Sequence, residues 1–102
     1  MLEGCIYILG FNEALSDYYK IIYVPKFPKN VHFMPSENYI IDSFNINNIE
    51  LAENMLSQLL NKFMVNDSLY MLNSFWIKLA CTKVKRDVNN DDSIMDVDLP
   101  FL

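Results

Sequence analysis

Apolar residues fall along this chain in short blocks set between polar or proline-rich stretches. Residues 4–11, GCIYILGF, form a brief apolar run bounded by glycines, the pattern of a buried strand. Residues 12–17 are a polar loop, and residues 18–24, YYKIIYV, repeat the strand pattern with Lys20 as the sole charge. Runs so close together predict a hairpin with a loose connection. Residues 25–36, PKFPKNVHFMPS, carry three prolines, which remove backbone donors and disfavour helix, so they predict an extended loop. Residues 39–44, YIIDSF, predict a third strand.

From residue 47 the period changes to that of a helix. Over 47–63 apolar residues stand at 49, 52, 56, 59 and 63, and 51, 55 and 60 widen the stripe. Asn47 suits the N-cap, with Glu50 three residues on as an approximate capping box. Val65, Asn66 and Asp67 predict a turn. Leu69, Leu72, Trp76 and Leu79 then recur at helical spacing, while FWIKLAC alone would also suit a strand. Helix is the expectation for the later part of 69–86, with a basic last turn that favours the helix dipole. Phe75 and Trp76 predict the core's aromatic anchor, and Met55, Met64 and Met71 predict core filling. The predicted class is α+β: a small three-stranded antiparallel sheet packed by one amphipathic helix and a C-terminal helical element.

A chain of 102 residues with 52% hydrophobic and 21% charged residues is one ordinary globular domain. That domain is expected over residues 1–86. Residues 87–102, DVNNDDSIMDVDLPFL, turn acidic. One reading is a solvated, partly disordered tail. The other is an acidic-hydrophobic segment (Ile94, Met95, Val97, Leu99, Phe101) that docks on a partner or on its own domain.

The net charge of −5 opposes binding to phosphate backbones, which draw their affinity from Lys and Arg. DNA contact would need a local basic patch, and the dense candidate is Lys83, Lys85 and Arg86. The bland reading of that cluster is a solvated helix end. Cys5, Cys81 and His32 have no metal-ligand spacing, which argues against zinc. A Cys5–Cys81 disulfide is one option, and two buried thiols in a reducing compartment the preferred one. The opening MLEGCIYIL lacks the basic region of a secretory leader, and no apolar run approaches the roughly 20 residues that span a bilayer. The expectation is an intracellular protein without a membrane partner.

The order strand, strand, strand, helix carries motifs that resemble the GIY-YIG superfamily, in particular its T5orf172-like branch of phage and large DNA viruses. Gly4-Cys5-Ile6-Tyr7-Ile8-Leu9 resembles the first motif, and Tyr19-Lys20-Ile21 the second, with Ile22 where glycine is usual. Ala52-Glu53 and Leu56 resemble the later helix, with Ser57 where histidine often stands, and SFWIKL at 74–79 resembles the closing aromatic piece. The likeness covers roughly residues 3–80. It implies a divalent-metal DNA endonuclease in which Tyr7 helps activate water, Tyr19 supports the phosphate and Glu53 holds one Mg or Mn ion. Such cleavage needs a positioned nucleophile, a metal and a cationic clamp.

The clamp departs from the family pattern. The arginine expected on a helix after the second motif is missing, and the prolines of 25–36 stand in its place. Lys26 or Lys29 would have to contact phosphate instead, as point charges without the planar fork of arginine. Ile22 would crowd backbone that usually lies near the site. At 100° per residue Glu53 falls about 20° outside Leu60, at the border of the apolar arc beside Ser57. A border carboxylate is either a metal ligand facing a groove or an ordinary rim residue. Tyr7 and Tyr19 are likewise either catalysts or strand tyrosines of the core. The expected function is a degenerate GIY-YIG-like domain that binds protein or regulates, with no cofactor. The alternatives are an active endonuclease with Mg or Mn, and a structural or assembly component that self-associates. The apolar loop residues Phe27, Val31, Phe33 and Met34 motivate the last.

Overall fold

The computed structural model describes residues 2–11, 17–26, 38–66, 69–93 and 98–101. Strands β1 (Gly4–Phe11), β2 (Tyr18–Pro25) and β3 (Asn38–Ile46) lead to helix α1 (Ile49–Leu59). A 3-10 turn (Asn61–Phe63), short strands β4 (Met64–Asn66) and β5 (Leu69–Met71), and helix α2 (Ser74–Asn89) follow. The strands make one five-stranded sheet in the order β3-β1-β2-β5-β4, each pair antiparallel. The α+β class is as expected, but the sheet has two strands more than the three read from sequence. Strands β4 and β5 are three residues each, too short for an alternation to register. They form because β5 pairs with the free edge of β2, Tyr19 opposite Tyr70.

β1 is the central strand of the hairpin system and pairs on both sides. Ile6 and Ile8 point to the helices and join a core with Ile21, Ile46, Leu56, Leu60, Ile77 and Val84. Leu9, on the alternate face, is also fully buried. The sheet is therefore apolar on both sides, which is why its strands read as continuous runs instead of alternating ones. A bulge lies where the β1–β3 register shifts between Ile8 and Leu9. Ile41 is the extra residue there and packs against the core, while Ile40 beside it is exposed.

Both helices pack on one face. α1 buries Ile49, Ala52 and Leu56, and α2 buries Ile77, Ala80, Cys81, Val84 and Val88. These are the i, i+3, i+4, i+7 positions of an amphipathic stripe. The N-cap of α1 is Asn48, not Asn47: its side chain accepts from Leu51 N at 3.2 Å. The backbone N–H of Asn47 instead donates to Asn89 Oδ1 at 2.9 Å. α1 ends at Leu59, short of residue 63, because the chain tightens into the 3-10 turn. α2 starts at Ser74, capped by Asn73, which accepts from Phe75 N at 2.8 Å. It continues past residue 86 and ends at Asn90, whose φ of 52° is the left-handed cap that asparagine tolerates.

The phase of α2 corrects the aromatic assignment. Phe75 is 63% exposed, while Trp76 is half-buried against the core. Met64 and Met71 are exposed too, and Met55 alone of the three expected core methionines packs against it. Leu99 and Phe101 are buried in the core cluster. Cys5 and Cys81 are free thiols, the first half-buried and the second fully buried. No helix among the described residues is long and apolar enough to cross a membrane. His32 and the apolar loop residues Phe27, Val31, Phe33 and Met34 lie outside the described residues.

At Gly4 the sheet and α1 approach closely. A Cβ there would lie 2.4 Å from Val24 O and 2.6 Å from Ile49 Cγ1. Neither the backbone carbonyl nor the buried Ile49 can give way cheaply. Gly4→Ala is therefore expected to destabilise the fold by about 1–3 kcal/mol through overpacking. Urea unfolding followed by circular dichroism measures this, and an unchanged midpoint would refute the close-approach argument.

Candidate functional site

The β1–β2 register decides which tyrosines meet. Gly10 pairs with Tyr19, Ile8 with Ile21 and Ile6 with Tyr23, so Tyr19 and Tyr23 face the helices together with Ile6 and Ile8. Tyr7 pairs with Ile22 and faces the other way. Tyr7 and Tyr19 thus project from opposite faces of one sheet. Glu53 sits exposed on α1, on the Tyr19 side, and its charge acts on Tyr23 and Tyr70. The structure therefore brings Glu53 near tyrosines, but these are Tyr23 and Tyr70.

Tyr7 makes a local pair instead. A hydrogen bond to the Cys5 side chain, then the charge of that group and a slight burial, raise its phenol above the usual value of 10.0. A raised phenol stays protonated at neutral pH, the opposite of what an activating base needs.

On the helix side Tyr70 pairs across the strands with Tyr19, and Ser57 of α1 hydrogen-bonds the Tyr70 hydroxyl. Burial raises the Tyr70 phenol, and the Ser57 bond partly offsets it. Tyr23 is more extreme. Its hydroxyl oxygen is buried without a hydrogen-bond partner. Burial, then the neighbouring Tyr70, Cys81 and Glu53, push its phenol far above the ordinary range. Burial does the same to the Cys81 thiol, with Asp42 adding to it. Such a thiol is inert at neutral pH. Tyr23 and Tyr70 escaped the sequence reading. The signal was there in YYKIIYV, where residues 19, 21 and 23 share one face.

The cationic candidates are elsewhere. Lys26 lies seven residues along β2 from Tyr19, roughly 23 Å at ~3.3 Å per residue, and its Nζ pairs with Glu3 Oε2 at 3.4 Å. Lys29 lies outside the described residues. In the basic cluster of α2, Lys83 and Arg86 both reach Asp87, at 3.8 and 3.4 Å. Lys85 Nζ stands 5.8 Å from the centroid of the Phe44 ring. Glu3, Gly4, Cys5, Lys26, Asn45 and Asn47 line an open cleft of about 370 Å³ at the Gly4 end of the sheet. Lys26 and Cys5 of that cleft are thus at the far end of the hairpin from the Tyr19–Tyr70 pair. Among the described residues, no group of three His, Cys, Asp or Glu side chains stands close enough to hold a metal ion.

No family model, curated protein or solved structure matches the chain.

The tyrosine and cysteine shifts have a sign that pH unfolding reads. In each case the folded state keeps its proton where the unfolded chain loses it. The stability they carry is intact below the unfolded values, 9.0 for the thiol and 10.0 for the phenols, and is lost as pH rises beyond them. Urea midpoints should therefore hold from pH 7 to about 9 and fall above that. Tyr23→Phe removes an unpartnered hydroxyl, so at pH 7 it should leave stability unchanged or raise it by about 1 kcal/mol. It should also flatten the fall above pH 10. A loss of more than about 1 kcal/mol at pH 7 would mean the hydroxyl has a partner after all.

Proposed function

We propose that this chain is a protein-binding or regulatory module on a GIY-YIG-like frame that no longer cuts DNA. The observation that carries this reading is the sidedness of the sheet. Tyr7 faces away from Tyr19, so a single phosphate cannot touch both hydroxyls without one strand changing register. The protonated state of Tyr7, the remoteness of Lys26 and the net charge of −5 support the same reading. Transfer of a phosphodiester needs its groups converging on one phosphate, each held to a fraction of an ångström of its productive position, and these are spread over two faces and two ends.

Self-association is a second reading with its own observation. Met64, Val65 and Met71 are exposed on the β4–β5 hairpin, at an open edge of the sheet, and Phe75 is exposed a few residues on. Exposed apolar groups at a sheet edge are a common route to pairing between copies.

A gel assay of labelled duplex DNA with Mg or Mn separates these from the nuclease reading. The expected outcome is neither shift nor cleavage with folded protein, and no difference between wild type and Glu53→Ala. Metal-dependent cleavage that Glu53→Ala abolishes would overturn the proposal. Light scattering at high concentration gives the mass: a dimer that Val65→Lys dissociates supports self-association at this edge, and a monomer removes it.

A further inference from the structure

Phe101 is seated in a groove among aromatic rings on the rim of the core. Phe101 stacks edge-on against Phe63, with centroids 5.1 Å apart and planes at 87°. It lies 5.4 Å from Trp76, which is 6.0 Å from Phe63. Leu99 is buried beside it. Lys62 closes the groove: its Nζ stands 5.3 Å from the Phe63 ring and 5.7 Å from the Phe101 ring, and donates to the Phe101 carbonyl. Phe63 and Trp76 remain only half-buried with Phe101 in place, so the groove opens to solvent.

Leu99 and Phe101 belong to the core cluster, and their segment is also held in the manner of a ligand in a site. Two side-chain anchors, a proline between them and one lysine–carbonyl bond are how short linear segments are held by aromatic grooves. Aromatic pairs of this geometry contribute about 0.5–1.5 kcal/mol each. The segment that carries the anchors is acidic, with Asp91, Asp92, Asp96 and Asp98 ahead of them, and the groove's rim charge is Lys62.

We propose that the Lys62–Phe63–Trp76 groove is a binding site for an acidic partner segment with a Leu-Pro-Phe turn, and that residues 98–101 are its tethered occupant. The tail then regulates the site. As a tethered competitor it acts at an effective concentration near millimolar. A partner sees its affinity reduced by the fraction of time the groove is open. This rests on the protein-binding reading and names the partner's chemistry. A failed titration would remove the groove while leaving the DNA assay behind that reading untouched.

Trp76 is the sole tryptophan, so its emission reports on the groove directly. The probe is a labelled peptide of residues 96–102, DVDLPFL, titrated onto the full chain and followed by anisotropy. Phe101→Ala should red-shift Trp76 emission and bind the peptide at least about tenfold tighter than wild type. The added peptide should then reverse the shift, and Lys62→Glu in the same background should weaken binding again. A folded Phe101→Ala chain that binds no better than wild type overturns the proposal. Should Phe101→Ala fail to fold, Leu99→Ala takes its place in the same titration. Failure of both to fold also overturns the proposal, because a segment that folding requires is not one a partner displaces.

Discussion

The pairing of β1 with β2 is the constraint from which the other arrangements follow. Side chains of a strand alternate with a period of two, so one register assigns every residue of the hairpin to a face. With Ile8 opposite Ile21, the isoleucines that close the core and the tyrosines Tyr19 and Tyr23 share the helix side. Tyr7, Leu9 and Ile22 are committed to the other side by the same choice. A shift of one residue would bring Tyr7 to the helices, but only by turning Ile6 and Ile8 out of the core. Burial of each isoleucine is worth about 1.5–3 kcal/mol, so the register is held by packing and no tyrosine chemistry can override it.

The helix side then carries an unusual load of hydroxyls for a small core. Tyr70 is satisfied by Ser57, which is a reason for a serine at that border position of α1. Tyr23 is not satisfied, and its ring is retained for the area it buries, with the hydroxyl a local cost. Glu53 sits at the edge of this group, where water solvates its charge. A carboxylate next to phenols that hold their protons gives a polar seam between α1 and the sheet. Among the described residues it gathers no group of three His, Cys, Asp or Glu side chains.

How much of this was legible depends on the length of each element. The runs at 4–11, 18–24 and 39–44 were readable as apolar blocks of strand length between polar or proline-rich stretches, and the helical stripe after residue 47 because it repeats its period over several turns. The border position of Glu53 followed from the same periodicity. β4 and β5 were not readable, since MVN and LYM are strands only because β2 offers them an edge. The α1 cap was off by one because two asparagines adjoin, and only the return of Asn89 from α2 decides which of them is used. Phe75 was read as a core anchor beside Trp76 but faces solvent, because the phase of α2 is set by its Asn73 cap, which the ambiguous run could not reveal. Tyr7 and Tyr19 looked like one site because motif spacing says nothing of faces. The face becomes known only with the residue that stands opposite.

The two edges of the sheet are treated differently, and this bears on how a partner can be met. β3 is a long edge, the kind that invites another strand. Toward its Ile46 end, some of its outward groups are already engaged. The Asn89 amide accepts from Asn47 N and donates to Asn45 O at 2.9 Å each, standing in for a neighbouring strand. Further along, the Ser43 N–H donates to Asp42 Oδ1 at 2.8 Å. Strand addition there would have to displace an amide held by α2 and a carboxylate, at the cost of their hydrogen bonds. Backbone pairing at that end of the longest edge is thereby made costlier. At the β4 edge, by contrast, the exposed groups are apolar side chains, Met64 and Val65 with Met71 on β5 behind them, and a neighbour there would meet apolar surface first.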